Sequence, residues 1–436
     1  MSEPRRRARR AGLIGAIAGL AAAGLAAGVA TERYLVNKAR RDSDDPHADE
    51  PFGELPADSV RMVTTPDQVA VRVETVATEE TAGHPERVRA TVVFVHGYCL
   101  DQGTFHFQRR ALTESHLPVR GVFYDQPGHG RSGELPVAEY DMDALSDTLD
   151  SVIRHVVPQG PVILVGHSMG AMTIMAYSRR QPEVFAKRVT GAVLLSTSAG
   201  GLDKVSFGAP RALARTRRLL LPVFSRAVAM TPGTIDRVRR IAGDLAWLLT
   251  RRYGFAVPDP SPALVSYVEK MNTETPIKTV IGFTKTLLEH DEHASLTAFA
   301  DIPVLISSGS DDQFTPASHS VELAEALPHA RLLMIPQAGH VALLEKPEEV
   351  SPALLKFIDA CVTNSGAEDV LDETPGSRPR RWRRRAKNPD PMAPRRMENS
   401  ETAVGDTGGH SCVRCPTGVG VEAGRPHRLV RTTGCR

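Results

Sequence analysis

Residues 162–170 read VILVGHSMG, an aliphatic run that stops at a serine standing between Gly166 and Gly170. Val162 to Val165 have the composition of a buried strand. The residues that follow, AMTIMAYSRRQP, can form a helix. Strand, sharp turn and helix around G-x-S-x-G is the setting in which this motif presents a nucleophilic serine. The backbone at such a turn is strained, and a side chain larger than hydrogen at either glycine would strike the adjoining strand or helix. The competing reading is a turn that packs well and does nothing else, and the rest of the chain has to choose.

The surrounding pattern is that of an α/β layer structure with a mostly parallel sheet. Between about residues 59 and 362, short β-branched runs alternate with longer helical periods. VAVRVETV, TVVFV, VRGVFYD, VILV, AVLLS, VLISS and RLLMIP read as strands. Their near-continuous apolar character suits a sheet covered on both faces. In ALSDTLDSVIRHV, Leu145, Leu149, Val152, Ile153 and Val156 recur at helical spacing and predict one buried face. About a hundred residues, 202–299, intervene before VLISS where a few would close the crossover. A structureless loop of that length is unusual, and ALARTRRLLLPVFSRAVAM and TIDRVRRIAGDLAWLLTRRYG are amphipathic. The expectation is a helical cap inserted over the C-terminal edge of the sheet, with the core divided into 59–201 and 300–362.

A serine hydroxyl needs a base, and the base needs a group to orient it. In this strand–turn–helix setting the partners follow in the order acid, then histidine. Both occur at strand ends. RLLMIP is followed by QAGHVALLEKP, which makes His340 the expected base, and VLISS is followed by GSDDQFTP. The acid is Asp311 or Asp312, which as neighbours point in different directions. Asp312, three residues from Gly309 and four before Pro316, is the preferred one, with Asp311 as a turn residue. An oxyanion hole needs two backbone N–H groups, each worth about 3 kcal/mol of transition-state stabilisation. Met169, after the serine, supplies one; Tyr98 in TVVFVHGYCLD supplies the other, with His96 fixing the loop rather than acting in catalysis.

FVHGYCLD, YDQPGHGRS, LVGHSMGAM, GSDDQFTP and AGHVALLEKP, in this order, resemble the α/β-hydrolase fold enzymes, in particular the monoacylglycerol-lipase-like branch of serine esterases and lipases with a helical cap. The resemblance implies nucleophile Ser168, acid Asp312, base His340 and oxyanion donors Tyr98 and Met169. Gln126 in DQPGHGRS departs from the commoner form of a structural segment. The resemblance implies ester hydrolysis; the apolar, arginine-bearing insert and the candidate membrane segment suggest an acyl-chain or lipid ester as substrate, and the serine–histidine–acid chemistry needs no metal or organic cofactor. Acyl transfer or cofactor-free halide oxidation on the same residues is the alternative. A binding protein without turnover is the third reading, and the presence of serine, acid and histidine together speaks against it.

The flanks differ in character. Ala11 to Ala30 carry no charge, and twenty helical residues span about 30 Å, one hydrocarbon core. Arginines flank the run, so 1–41 reads as a signal anchor giving membrane association, or as a cleaved signal peptide of a secreted protein. DSDDPHADEPFGELPAD, 42–58, is acidic, proline-bearing and aperiodic, and reads as a linker. From 363 to 436 the chain is rich in arginine, proline and glycine and reads as a disordered tail. Its HSCVRC, with Cys412 and Cys415, is a weak zinc signal without a second pair. Over all 436 residues the net charge is +2, which gives no overall pull toward nucleic acid.

Overall fold

The computed structural model describes residues 45–136, 139–205 and 243–363. Residues 11–30 and the cysteines of the tail lie outside the described residues, as does ALARTRRLLLPVFSRAVAM. Among the described residues no helix is long and apolar enough to cross a membrane.

Eight strands form one sheet: β1 (Ser59–Thr64), β2 (Ala70–Ala77), β3 (Ala90–Val95), β4 (Val119–Tyr124), β5 (Val162–His167), β6 (Val189–Leu195), β7 (Val304–Gly309) and β8 (Arg331–Ile335). Their spatial order is β1-β2-β4-β3-β5-β6-β7-β8. β1 and β2 run antiparallel at one edge; β4 through β8 pair in parallel. The apolar runs follow from burial on both faces. Val93, Val95, Leu164 and Leu194 pack into one core layer, and their neighbours Val92, Phe94, Val165 and Val193 into the other. β1, at the sheet edge, is largely uncovered: Val60 and Met62 are exposed, and only Val63, paired with Val71, is buried.

The helices are α1 (His106–Thr113), α2 (Met142–Val156), α3 (Met169–Arg180), α4 (Pro182–Arg188), α5 (Gly243–Gly254), α6 (Pro262–Glu274), α7 (Ile277–Glu289), α8 (Ala317–Ala326), α9 (Ala342–Glu345) and α10 (Pro347–Thr363). Asp141 starts α2 by accepting the Ala144 N–H, which satisfies an otherwise orphaned donor. Leu145, Leu149, Val152, Ile153 and Val156 are all buried beneath it. Between β6 and β7, the segments α5, α6 and α7 contribute Trp247, Val265, Met271 and Phe283 to the core.

Residues 45–58 depart from the expected linker, because they pack against the protein. Phe52 stacks on Tyr267 of α6 at 4.6 Å and lies 4.9 Å from His106 of α1. Asp45 accepts hydrogen bonds from Ser261 Oγ at 2.6 Å and Ala263 N at 2.8 Å, at the start of α6. Glu50 pairs with His106 at 2.7 Å and Arg110 at 2.6 Å. The acidic residues that mark the segment as a spacer are helix-capping and ion-pair partners here.

Candidate active site

Ser168 sits at the corner between β5 and α3 with φ 52° and ψ −118°. That is a costly conformation for a residue with a Cβ, and the surroundings hold it. Its N–H donates to Leu195 O at 2.9 Å and its carbonyl accepts from Thr197 Oγ1 at 2.9 Å. The glycines are needed for close approach: a Cβ on Gly166 would meet the Ala171 backbone, and one on Gly170 would collide with the Val95 carbonyl. The corner therefore lies hard against β3 and α3.

His340 reaches the serine from the loop after β8. Its Nε2 lies 3.0 Å from Ser168 Oγ, and its Nδ1 lies 2.8 Å from Asp312 Oδ2. With Nδ1–H donating to the carboxylate, the Nε2 lone pair faces the serine hydroxyl. Asp312 also accepts from Phe314 N at 2.8 Å, Thr315 N at 3.0 Å and Thr315 Oγ1 at 2.8 Å. Burial opposes its charge, but the facing His340 and these hydrogen bonds outweigh that and hold the carboxyl below its ordinary value. Asp311 instead is exposed and accepts from Ser310 Oγ, so the adjacent carboxylates are separated by the turn itself.

Tyr98 and Ser168 line the same apolar cavity of about 510 Å³, with Met172, Leu287, Phe314 and His340 among the other walls. The Tyr98 hydroxyl donates to Val280 O of α7 at 2.5 Å, joining the β3 loop to the helical insert. Met169 is fully buried at the first position of α3. Gly97 permits the close contact of the β3 loop with the serine corner: a Cβ there would lie 2.8 Å from His167 Nδ1 and 3.1 Å from Ser168 Cβ. A larger polar cavity of about 800 Å³, lined by His290, His293 and His319, opens near Asp312 but contains neither Ser168 nor His340. Among the described residues no group of three or more histidines, cysteines or acids is placed to hold a metal ion.

His96 is held as a loop clamp. Its Nδ1–H donates to Gly97 O at 2.8 Å, and its Nε2 accepts the Gln126 N–H at 2.8 Å. Gln126 returns a bond from Nε2 to His96 O at 2.6 Å, so the unusual residue of DQPGHGRS locks that loop to the β3 loop. Sequence reasoning passed over His167, which donates from Nε2 to the His340 carbonyl at 3.0 Å. Burial, and then the neighbouring His340, push its pKa down to about 3, so the ring is neutral. It also passed over Glu345 and Thr315. The bonds of His167 and Glu345 run to backbone groups of other segments and leave no spacing signal.

The sequence pattern of the alpha/beta hydrolase fold matches residues 90–347. The chain belongs to the α/β-hydrolase fold family. A Mycobacterium tuberculosis protein that carries the name of a non-heme bromoperoxidase, BpoC, is 30% identical over 240 residues, spanning 55% of this chain and 79% of that protein. The sn-1-specific diacylglycerol lipase ABHD11 of Mus musculus is 23% identical over 268 residues, spanning 61% of this chain and 80% of its own. The structure of a thermophilic esterase from Thermogutta terrifontis superposes with a TM-score of 0.53 at 22% identity, covering 70% of this chain and 99% of that one. At that identity the likeness concerns the fold alone. These α/β-hydrolase relatives do not single out a monoacylglycerol-lipase-like branch.

Proposed function

We propose that this α/β-hydrolase cleaves carboxylic esters through an acyl-enzyme on Ser168. The observation that carries the reading is the alignment of Ser168 Oγ, His340 and Asp312, at 3.0 and 2.8 Å, with Ser168 and His340 on the wall of an apolar cavity. Ser168 Oγ attacks the acyl carbonyl carbon as its proton passes to His340 Nε2. The negative charge on the carbonyl oxygen is met by the Tyr98 and Met169 N–H groups. The tetrahedral species collapses, His340 gives the proton to the departing alkoxide, and an alcohol leaves. Water then repeats the sequence against the acyl-enzyme and releases the acid. Asp312 holds His340 in the tautomer with Nδ1–H and stabilises the imidazolium.

The apolar walls favour an ester with a hydrocarbon acyl chain, a lipid ester among them. Perhydrolysis with halide oxidation is the second reading, favoured by the name of the 30%-identical relative. The deciding experiment is fluorophosphonate labelling of the protein with peptide mapping, run beside p-nitrophenyl ester turnover. Labelling confined to the peptide containing Ser168, with both label and turnover lost in Ser168→Ala, is the expected result. Turnover persisting in Ser168→Ala would refute the reading. Acid release in water without peroxide separates hydrolysis from the second reading.

A further inference from the structure

The loop of residues 336–341 between β8 and α9 has no regular structure, yet it carries His340. Asp311 N donates to Ala338 O at 3.1 Å from the acid loop, and His167 holds the His340 carbonyl from β5. The remaining side faces the helical insert. There Val341 N donates to Gly254 O at 3.2 Å, and Gly339 packs so closely that a Cβ would lie 2.5 Å from Gly254 O and 2.9 Å from the Phe255 carbonyl carbon.

Glu345 bridges this contact. One carboxylate oxygen accepts the Gly339 N–H at 2.6 Å, one residue before His340. The other accepts the Ala256 N–H at 2.8 Å and the Val257 N–H at 2.7 Å. Ala256 and Val257 lie in the turn joining α5 to α6, and Tyr253, Gly254 and Val268 of those helices line the Ser168 cavity. A carboxylate suits this place because it accepts on both oxygens, whereas an amide would turn N–H groups toward one of the donors. Bonds to an ionised acceptor are also the stronger kind.

We propose that Glu345 is a positioning residue that fastens the turn of the helical insert to the loop carrying His340. Seating of the insert over the cavity and alignment of the base thereby become one event. The inference rests on the reading of His340 as the base. A residue that merely stabilised the fold would affect melting and not the chemical step.

The test is Glu345→Gln in the full chain, with kcat and KM for p-nitrophenyl butyrate, the rate of fluorophosphonate labelling at Ser168, and thermal melting. The expected result is a fall of about 10- to 100-fold in both kcat and labelling rate, the size of effect that sub-ångström misplacement of a reacting group produces. KM should stay within about threefold of wild type. A kcat and labelling rate within about twofold of wild type, whatever the KM or melting temperature, would overturn the proposal. If Glu345→Gln does not fold, Glu345→Asp takes its place; it keeps the charge but is too short to span both segments, and wild-type kcat there would equally overturn it. Ser168→Ala and His340→Ala run in parallel. Their inactivity beside a fully active Glu345→Gln sinks this inference alone, whereas turnover in Ser168→Ala sinks the hydrolase reading and this one with it.

Discussion

Asp312 concentrates the electrostatics of the site. Removing a carboxylate from water disfavours its charge, yet four donors converge on it: two backbone N–H groups, the Thr315 hydroxyl and His340 Nδ1. The depressed pKa means that this stabilisation is present above the unfolded value near 4 and is lost as the pH falls through the lower folded value. Asp312→Asn keeps the shape but offers an amide to His340, which favours the tautomer with its proton on Nε2. On the hydrolase reading kcat should drop about 10⁴-fold with the fold intact, as steady-state kinetics and circular dichroism would show. A drop smaller than about tenfold would remove Asp312 from the mechanism. The residue pair DD in GSDDQFTP named both candidates. Which one turns inward is set by the loop after β7, where Asp311 stays in solvent and Asp312 meets a histidine 28 residues further along.

The segment 45–58 shows how an element's role escapes its composition. DSDDPHADEPFGELPAD has no hydrophobic period, but its few structured contacts join α6 to α1. Phe52 lies between Tyr267 and Phe107, at 4.6 and 5.9 Å. Phe52→Ala removes these ring contacts, and those to His106 and His47, from a half-buried position, so the expected loss is about 2 kcal/mol of unfolding free energy, below the range for fully buried phenylalanines. Urea denaturation measures it. A change within about 0.5 kcal/mol would mean that the segment rides on the surface without holding the insert. β3 to β7 were readable because burial on both faces makes each a nearly continuous apolar run. β1 was not, because only Val63 of its six residues is buried.

Taken as a unit, the protein keeps an unusual set of histidines neutral. Burial pushes His129 and His290 down to about 4, His167 to about 3, and His96 well below its ordinary 6.5. As the pH falls below 6.5 the unfolded chain takes up protons that the folded chain refuses, so stability is lost. Each such group contributes about 1 kcal/mol per pH unit until its folded pKa is reached. Asp101 acts in the opposite sense. Burial and the nearby Asp125 raise it to about 7, so the folded state binds a proton between pH 4 and 7 that the unfolded state does not. Urea midpoints should therefore fall between pH 7.5 and 5.5, and fall further in Asp101→Asn, where that opposing contribution is gone. An equal or smaller fall in Asp101→Asn would show that Asp101 is ionised in the folded protein.

Local patterns were enough to read the α/β class, seven of the strands and the serine corner, because each depends on residues adjacent in the chain. G-x-S-x-G is legible for a steric reason: the glycines answer a crowding that any sharp strand–helix corner creates. The order of acid and histidine at strand ends brought Asp312 and His340 into view as well. Folding alone decided how residues 45–58 lie against α6, and that His167, Gln126 and Glu345 brace the loops around Ser168. The bracing contacts of His167, Gln126 and Glu345 run from a side chain to backbone groups of other segments. A backbone N–H or carbonyl is present at nearly every residue, so its partner leaves no mark in the sequence until the chain is packed.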